Sequence, residues 1–196
     1  MTFAGFLRLA WQTVLAPRDV ARLLLSLRLG HEALLLALAL VLVLNTLIFT
    51  VSVQVSPPDP ALTSLLGNPV IFMLLMGGTL GVTAIAITWT GRALGGVARI
   101  EDIGLLLIWL QALRMLVQLA VVALALVNES LAGLLVVGAA VLGVWILVQF
   151  IDEAHGFAAL GKAALVLLLG VTGLVLGLSF FLTLIGATTM GLNTNV

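Results

Sequence analysis

Apolar residues along this chain gather into five blocks, each about as long as the roughly twenty residues a membrane helix needs, separated by short polar stretches. The blocks run from Ala33 to Val53, Val70 to Thr90, Gly104 to Val127, Leu131 to Ile151 and Ala163 to Gly186. At about 1.5 Å per residue each crosses a hydrocarbon core of about 30 Å. Each must then be a helix, because a backbone in lipid has to satisfy its hydrogen bonds within its own segment. The VSPPDP stretch from Val55 to Pro60 breaks any helix between the first two spans. Thr90 to Asp102 forms a glycine-containing polar turn, Val127 to Ser130 a tight turn, and Asp152 to Lys162 a longer link before the last span.

The first thirty residues carry a different pattern, that of two short amphipathic helices. Phe3, Phe6, Leu7, Ala10, Trp11 and Val14 share one arc, with Arg8 and Gln12 opposite. Pro17 and Asp19 then open a second helix, whose Val20, Leu23, Leu24 and Leu27 face away from Arg18 and Arg22. An apolar face with a basic back is suited to lying on anionic lipid, so Arg8, Arg18, Arg22 and Arg28 are candidate lipid-facing residues. The length and arginine content of this leader do not fit a cleavable signal, and the N-terminus is expected to be retained.

Composition supports a membrane chain: 63% of the 196 residues are hydrophobic and 8% charged, with a mean hydropathy of +1.34. There is no cysteine, which removes disulfides, thiolate catalysis and sulfur-ligated metals. Zero net charge argues against nucleic acid as a partner. The positions of the basic residues say more. Seven of the eight lie in the leader, between spans two and three, or between spans four and five; the opposite side has none. The positive-inside rule then predicts a cytoplasmic N-terminus and, after five spans, a C-terminus outside. The excess of Arg over Lys and the abundance of Ala, Gly, Leu and Val point to a bacterial, GC-rich source.

Two strings imitate nucleotide enzymes. Gly156 to Lys162, GFAALGK, has the GxxxxGK spacing, and Asp152 to His155 spells DEAH. A phosphate loop needs a preceding strand and a following hydroxyl, whereas here a membrane span precedes it and Ala163 follows. His31 and His155 show no metal-ligand spacing and read as surface histidines near one membrane boundary. No serine stands in a nucleophile setting. The sequence therefore predicts no catalytic residue, no metal and no cofactor. Gly77 with Gly81 and Gly173 with Gly177 are GxxxG pairs, candidates for close helix packing within the bundle or in a homo-oligomer.

One charge lies inside a span. Arg114 sits near the middle of the third block, with Gln111 and Gln118 on the same face. A cation at a helix centre costs about 2.5–3.5 kcal/mol on the insertion scale, while each Leu, Ile or Val returns about 0.3–0.6, so the span inserts despite it. The polar face should turn from lipid, and Arg114 should snorkel toward the cytoplasmic end, about 15 Å away at 1.5 Å per residue. Span four brings Trp145, Gln149, Asp152 and Glu153 to that side. The expected cluster is Gln111, Arg114, Gln118 and Gln149 with one of the two carboxylates.

WQTVLAPRDVARLLL in the leader, GRALGGVARIEDIGLLLIW entering span three and W with QFIDEAHGF leaving span four resemble the bacterial branch of the YIP1 family, over nearly the whole chain. The matching positions are Gly91, Arg92, Gly95, Gly96, Trp109, Gln111, Trp145, His155 and Gly156. The resemblance implies an integral membrane protein without enzymatic chemistry. Eukaryotic members of the family act in vesicle trafficking and associate with lipidated Rab GTPases. Their long polar N-terminal region and tyrosine-containing DLYGP-type motif are absent here, where the chain has no tyrosine, so Rab GTPase binding is not carried over.

The resulting expectation is an all-α polytopic membrane protein: a leader over 1–30, a five-span YIP1-like domain over 31–190 and an extracytoplasmic tail over 191–196. It would sit in a bacterial inner membrane and act through helix packing and cytoplasmic-face contacts with lipid or a protein partner. The rival expectation is a small transporter or channel subunit whose path includes Asn45, Gln111, Arg114, Gln118 and Gln149.

Overall fold

The computed structural model describes residues 2–55 and 67–191. Among them seven helices follow one another: α1 (Phe3–Leu15), α2 (Pro17–Ser26), α3 (His31–Val55), α4 (Pro69–Ala93), α5 (Ile100–Ala125), α6 (Glu129–His155) and α7 (Leu160–Gly191). The last five are long and apolar enough to cross a membrane. Each contains the corresponding sequence block, apart from the last two residues of the third. The VSPPDP stretch beyond Val55 and residues 192–196 of the expected tail lie outside the described residues, while Gly191 closes α7.

Local chemistry sets the helix starts. The Asn68 side chain accepts from the Val70 and Ile71 N–H groups at 2.9 and 3.3 Å, with Pro69 in the first turn, where its missing N–H costs nothing. Asn128 starts α6 in the same way, accepting from Leu131 N–H at 3.0 Å. Polar residues buried within the spans return their hydrogen bonds to the preceding turn. Asn45 donates to the Val41 carbonyl and Thr88 to that of Ala84, so neither needs a partner helix.

The five long helices close into a ring in the order α3, α5, α6, α7, α4, and α4 also touches α5 across it. One apolar cluster joins α4, α5, α6 and α7 around Ile87, Ile103, Ile151 and Val166. A second joins α2 to α5 and α6 through Val20, Ala21, Leu24, Leu106, Trp109 and Phe150. Here the leader departs from expectation. Of the α2 face expected to meet lipid, Val20 and Leu24 are buried on the protein beside Ala21, against α5 and α6, while Leu23 and Leu27 stay exposed. In α1 the buried line is Ala10 and Thr13, and Leu7, Trp11 and Leu15 face outward.

The end of α6 is anchored by a buried imidazole. His155, expected at the surface, is 1% exposed. Its Nδ1 lies 3.1 Å from the Ile151 carbonyl, its ring stacks on Phe157, and its backbone carbonyl accepts from Val97 N–H at 3.2 Å. Gly91 and Gly96 lie against the ring so closely that a Cβ on either would overlap it. Gly156 then ends the helix in the left-handed region at φ 66°. The GRALGG and HGF strings thus meet as one packed joint.

The glycine pairs behave less uniformly than their spacing suggests. A Cβ on Gly77 would meet Leu42 at 3.0 Å, but Gly81, Gly173 and Gly177 have open space around them among the described residues. The close approach of α4 and α7 occurs at Gly170, against Ala86 and Ile87. Helix rotation, which spacing does not encode, decides which glycine faces a neighbour.

Gly91→Ala and Gly96→Ala should each lower stability by about 1–3 kcal/mol through overpacking against His155. Gly173→Ala should change it by less than about 0.5 kcal/mol. Thermal unfolding of the detergent-solubilised protein reads the difference.

Candidate functional site

Two carboxylates at the end of α6 receive the leader. Asp152, only 2% exposed, accepts from Arg18 Nη2 through Oδ2 and from the Ala159 N–H through Oδ1 at 2.9 Å. Glu153 takes Arg22 in a two-pronged pair, Nε to Oε1 at 3.0 Å and Nη2 to Oε2 at 3.2 Å. That hydrogen bond, and then the charge of Glu153, hold the Arg22 guanidinium above its ordinary pKa. Arg18 and Arg22 are one turn apart on α2 and Asp152 and Glu153 adjacent on α6, so two charges on each side meet in register. Trp109 adds a third tie by donating from Nε1 to Thr13 Oγ1 at 3.0 Å, with Phe6 edge-on to its ring.

This arrangement corrects the expected pairing of Arg114. Neither carboxylate reaches it, because α2 covers the end of α6 and supplies the two guanidinium groups there. Arg18 and Arg22 are paired yet keep 43% and 67% of their side chains exposed, and Arg8 and Arg28 are exposed and outside every ion pair among the described residues. Gln149 is buried in α6 away from Arg114, with its Oε1 unpartnered.

Arg114 instead opens into a groove of about 650 Å³ bounded by α1, α5 and α6. Gln111, Arg114 and Gln118 line it as a polar stripe, and the walls are apolar: Leu7, Trp11 and Val14 from α1, Leu113 and Val117 from α5, Leu142 and Ile146 from α6. Among the described residues Arg114 makes no hydrogen bond and no ion pair, and its side chain is exposed to the groove. Gln118 donates to Ser52 Oγ of α3 at 3.1 Å. A second cavity of about 350 Å³ shares Gln118, Val121 and Val136 with the first and continues toward Glu129 at the opposite end. Asn45 lines neither cavity.

The sequence missed the role of α1 as a groove wall. The signal available was Thr13, a hydroxyl within an otherwise apolar arc, which marks the side of α1 that meets Trp109. Among the described residues no three histidines or carboxylates converge into a metal site. The chain matches no protein-family model, no curated protein and no solved structure in comparisons with all three.

Asp152→Ala removes the buried partner of Arg18 and the acceptor for Ala159 N–H, and should cost about 3 kcal/mol. Trypsin should then cut after Arg18 and Arg22 in the folded protein, as it should not in wild type. Glu153→Gln, at a solvent-exposed arginine, should have a much smaller effect on both readouts.

Proposed function

We propose that this chain is a non-enzymatic, YIP1-like protein of a bacterial inner membrane, acting at its basic end through contacts with anionic lipid or a membrane-bound partner. The distribution of basic residues supports a cytoplasmic leader and cytoplasmic α4–α5 and α6–α7 links, with the C-terminus outside. One observation carries the reading. The leader is locked to the bundle by the Arg18–Asp152 and Arg22–Glu153 pairs, while Arg8, Arg28, Leu7, Trp11 and Leu15 remain outward as a fixed apolar and basic edge. Such an edge at headgroup depth attracts an anionic surface and inserts apolar side chains beneath it.

A second reading is favoured by Gln118, which lines both cavities. A polar stripe open along α5 serves passage of an amphiphile, the form the transporter alternative takes here.

Cysteine placed at Ser26 should react with an impermeant thiol reagent from the cytoplasmic side and cysteine at Ser130 from the outside, in this otherwise cysteine-free chain. In lipid nanodiscs, raising the anionic lipid fraction should raise the melting temperature. The gain should fall with added salt and in the Arg8→Gln/Arg28→Gln double variant. A gain that survives both changes contradicts the surface reading.

A further inference from the structure

We propose that the groove between α1, α5 and α6 seats one anionic phospholipid from the bilayer, its phosphate on the Arg114 guanidinium and one acyl chain along the apolar walls. The proposal deepens the reading above and rests on its placement of the basic end at a headgroup layer.

The guanidinium is permanently charged, and a cation without a partner among hydrocarbon is costly. No acidic side chain among the described residues provides that partner. The five ion pairs among the described residues commit Asp19, Glu101, Asp102, Asp152 and Glu153 to other arginines. Every acidic residue in the five long helices lies in a first or last turn, so a second copy of these helices could not bring an anion to the depth of Arg114 either. With no anion among the described residues at that depth, the groove calls for one from outside the bundle.

The groove describes that anion. Its volume falls within the range of small-molecule sites, about 300–1,000 Å³. Its walls are aliphatic and aromatic, which selects a ligand with a hydrocarbon portion over inorganic phosphate. Gln111 lines the groove beside Arg114 with its Oε1 unpartnered among the described residues, and its Nε2 is the group that can donate to a phosphate oxygen. Trp11, 65% exposed, stands at the α1 edge. Arg114 lies about 21 Å along α5 from Ile100 and about 17 Å from Ala125, at 1.5 Å per residue, and helical side chains lean toward the N-terminal, basic end, where α1 walls the groove. The lipid therefore comes from the leaflet on the basic side, its phosphate drawn inward beside α1.

Native mass spectrometry of the intact protein in detergent, titrated with phosphatidylglycerol or phosphatidylcholine of the same chains, tests this. One phosphatidylglycerol should bind at least fivefold more tightly than phosphatidylcholine. Arg114→Gln should abolish the preference, and Gly143→Leu, which fills the groove and leaves the charge in place, should abolish tight binding. Arg8→Gln/Arg28→Gln should leave the preference intact, so loss of the surface effect and loss of this site are separable. Equal binding of the two lipids by the wild type overturns the proposal. So does a preference that persists in Arg114→Gln or tight binding that persists in Gly143→Leu, each with an unchanged melting temperature.

Discussion

Two arginines of a short helix, paired with two carboxylates at the end of a membrane span, organise this molecule. Arg18 on Asp152 and Arg22 on Glu153 hold α2 across α5 and α6, and with it α1. Asp152 also ties the α6–α7 link through the Ala159 N–H, so one buried carboxylate joins the leader, the end of one span and the approach to the next. Apolar burial of Val20 and Ala21 adds attraction, and the ion pairs add register: they fix where along α6 the leader sits.

The rest of the charge distribution follows. Because the carboxylates expected to meet Arg114 are taken by the leader, the arginine in the middle of α5 has no acidic partner among the described residues. Because α1 is held beside α5 rather than lying free on the membrane, it becomes the third wall of the groove into which Arg114 opens. A leader that sequence alone presents as a membrane anchor is thereby part of a binding surface.

Sequence alone revealed the five spans, since blocks of twenty apolar residues have few other uses, and the start of α2, where Pro17 and Asp19 carry a local signal. Partners were not legible. Gln111, Arg114 and Gln118 sharing a face is a matter of helix periodicity, but which neighbour that face meets depends on helix rotation and on how the leader docks. Arg18 and Arg22 compete with Arg114 for Asp152 and Glu153, and only the fold shows that α2 brings its own within reach. His155 shows the same limit: next to a glycine at a helix end it reads as a boundary residue, yet Gly91 and Gly96, some sixty residues earlier in the chain, make the space that buries it. The empty surroundings of Gly173 and the contact at Gly170 differ by less than one helical turn.

Whether the leader is docked on the bundle in a bilayer is the claim on which the groove, the exposed edge and the isolation of Arg114 all depend. Spin labels at Leu23 on the outer side of α2 and at Leu134 on α6, in lipid nanodiscs, measure it by pulsed electron resonance. A single narrow distance distribution, unchanged between zwitterionic and anionic lipid, is the result this account predicts. A broad distribution, or one that shifts with lipid charge, would mean a leader that floats on the membrane surface and would contradict it.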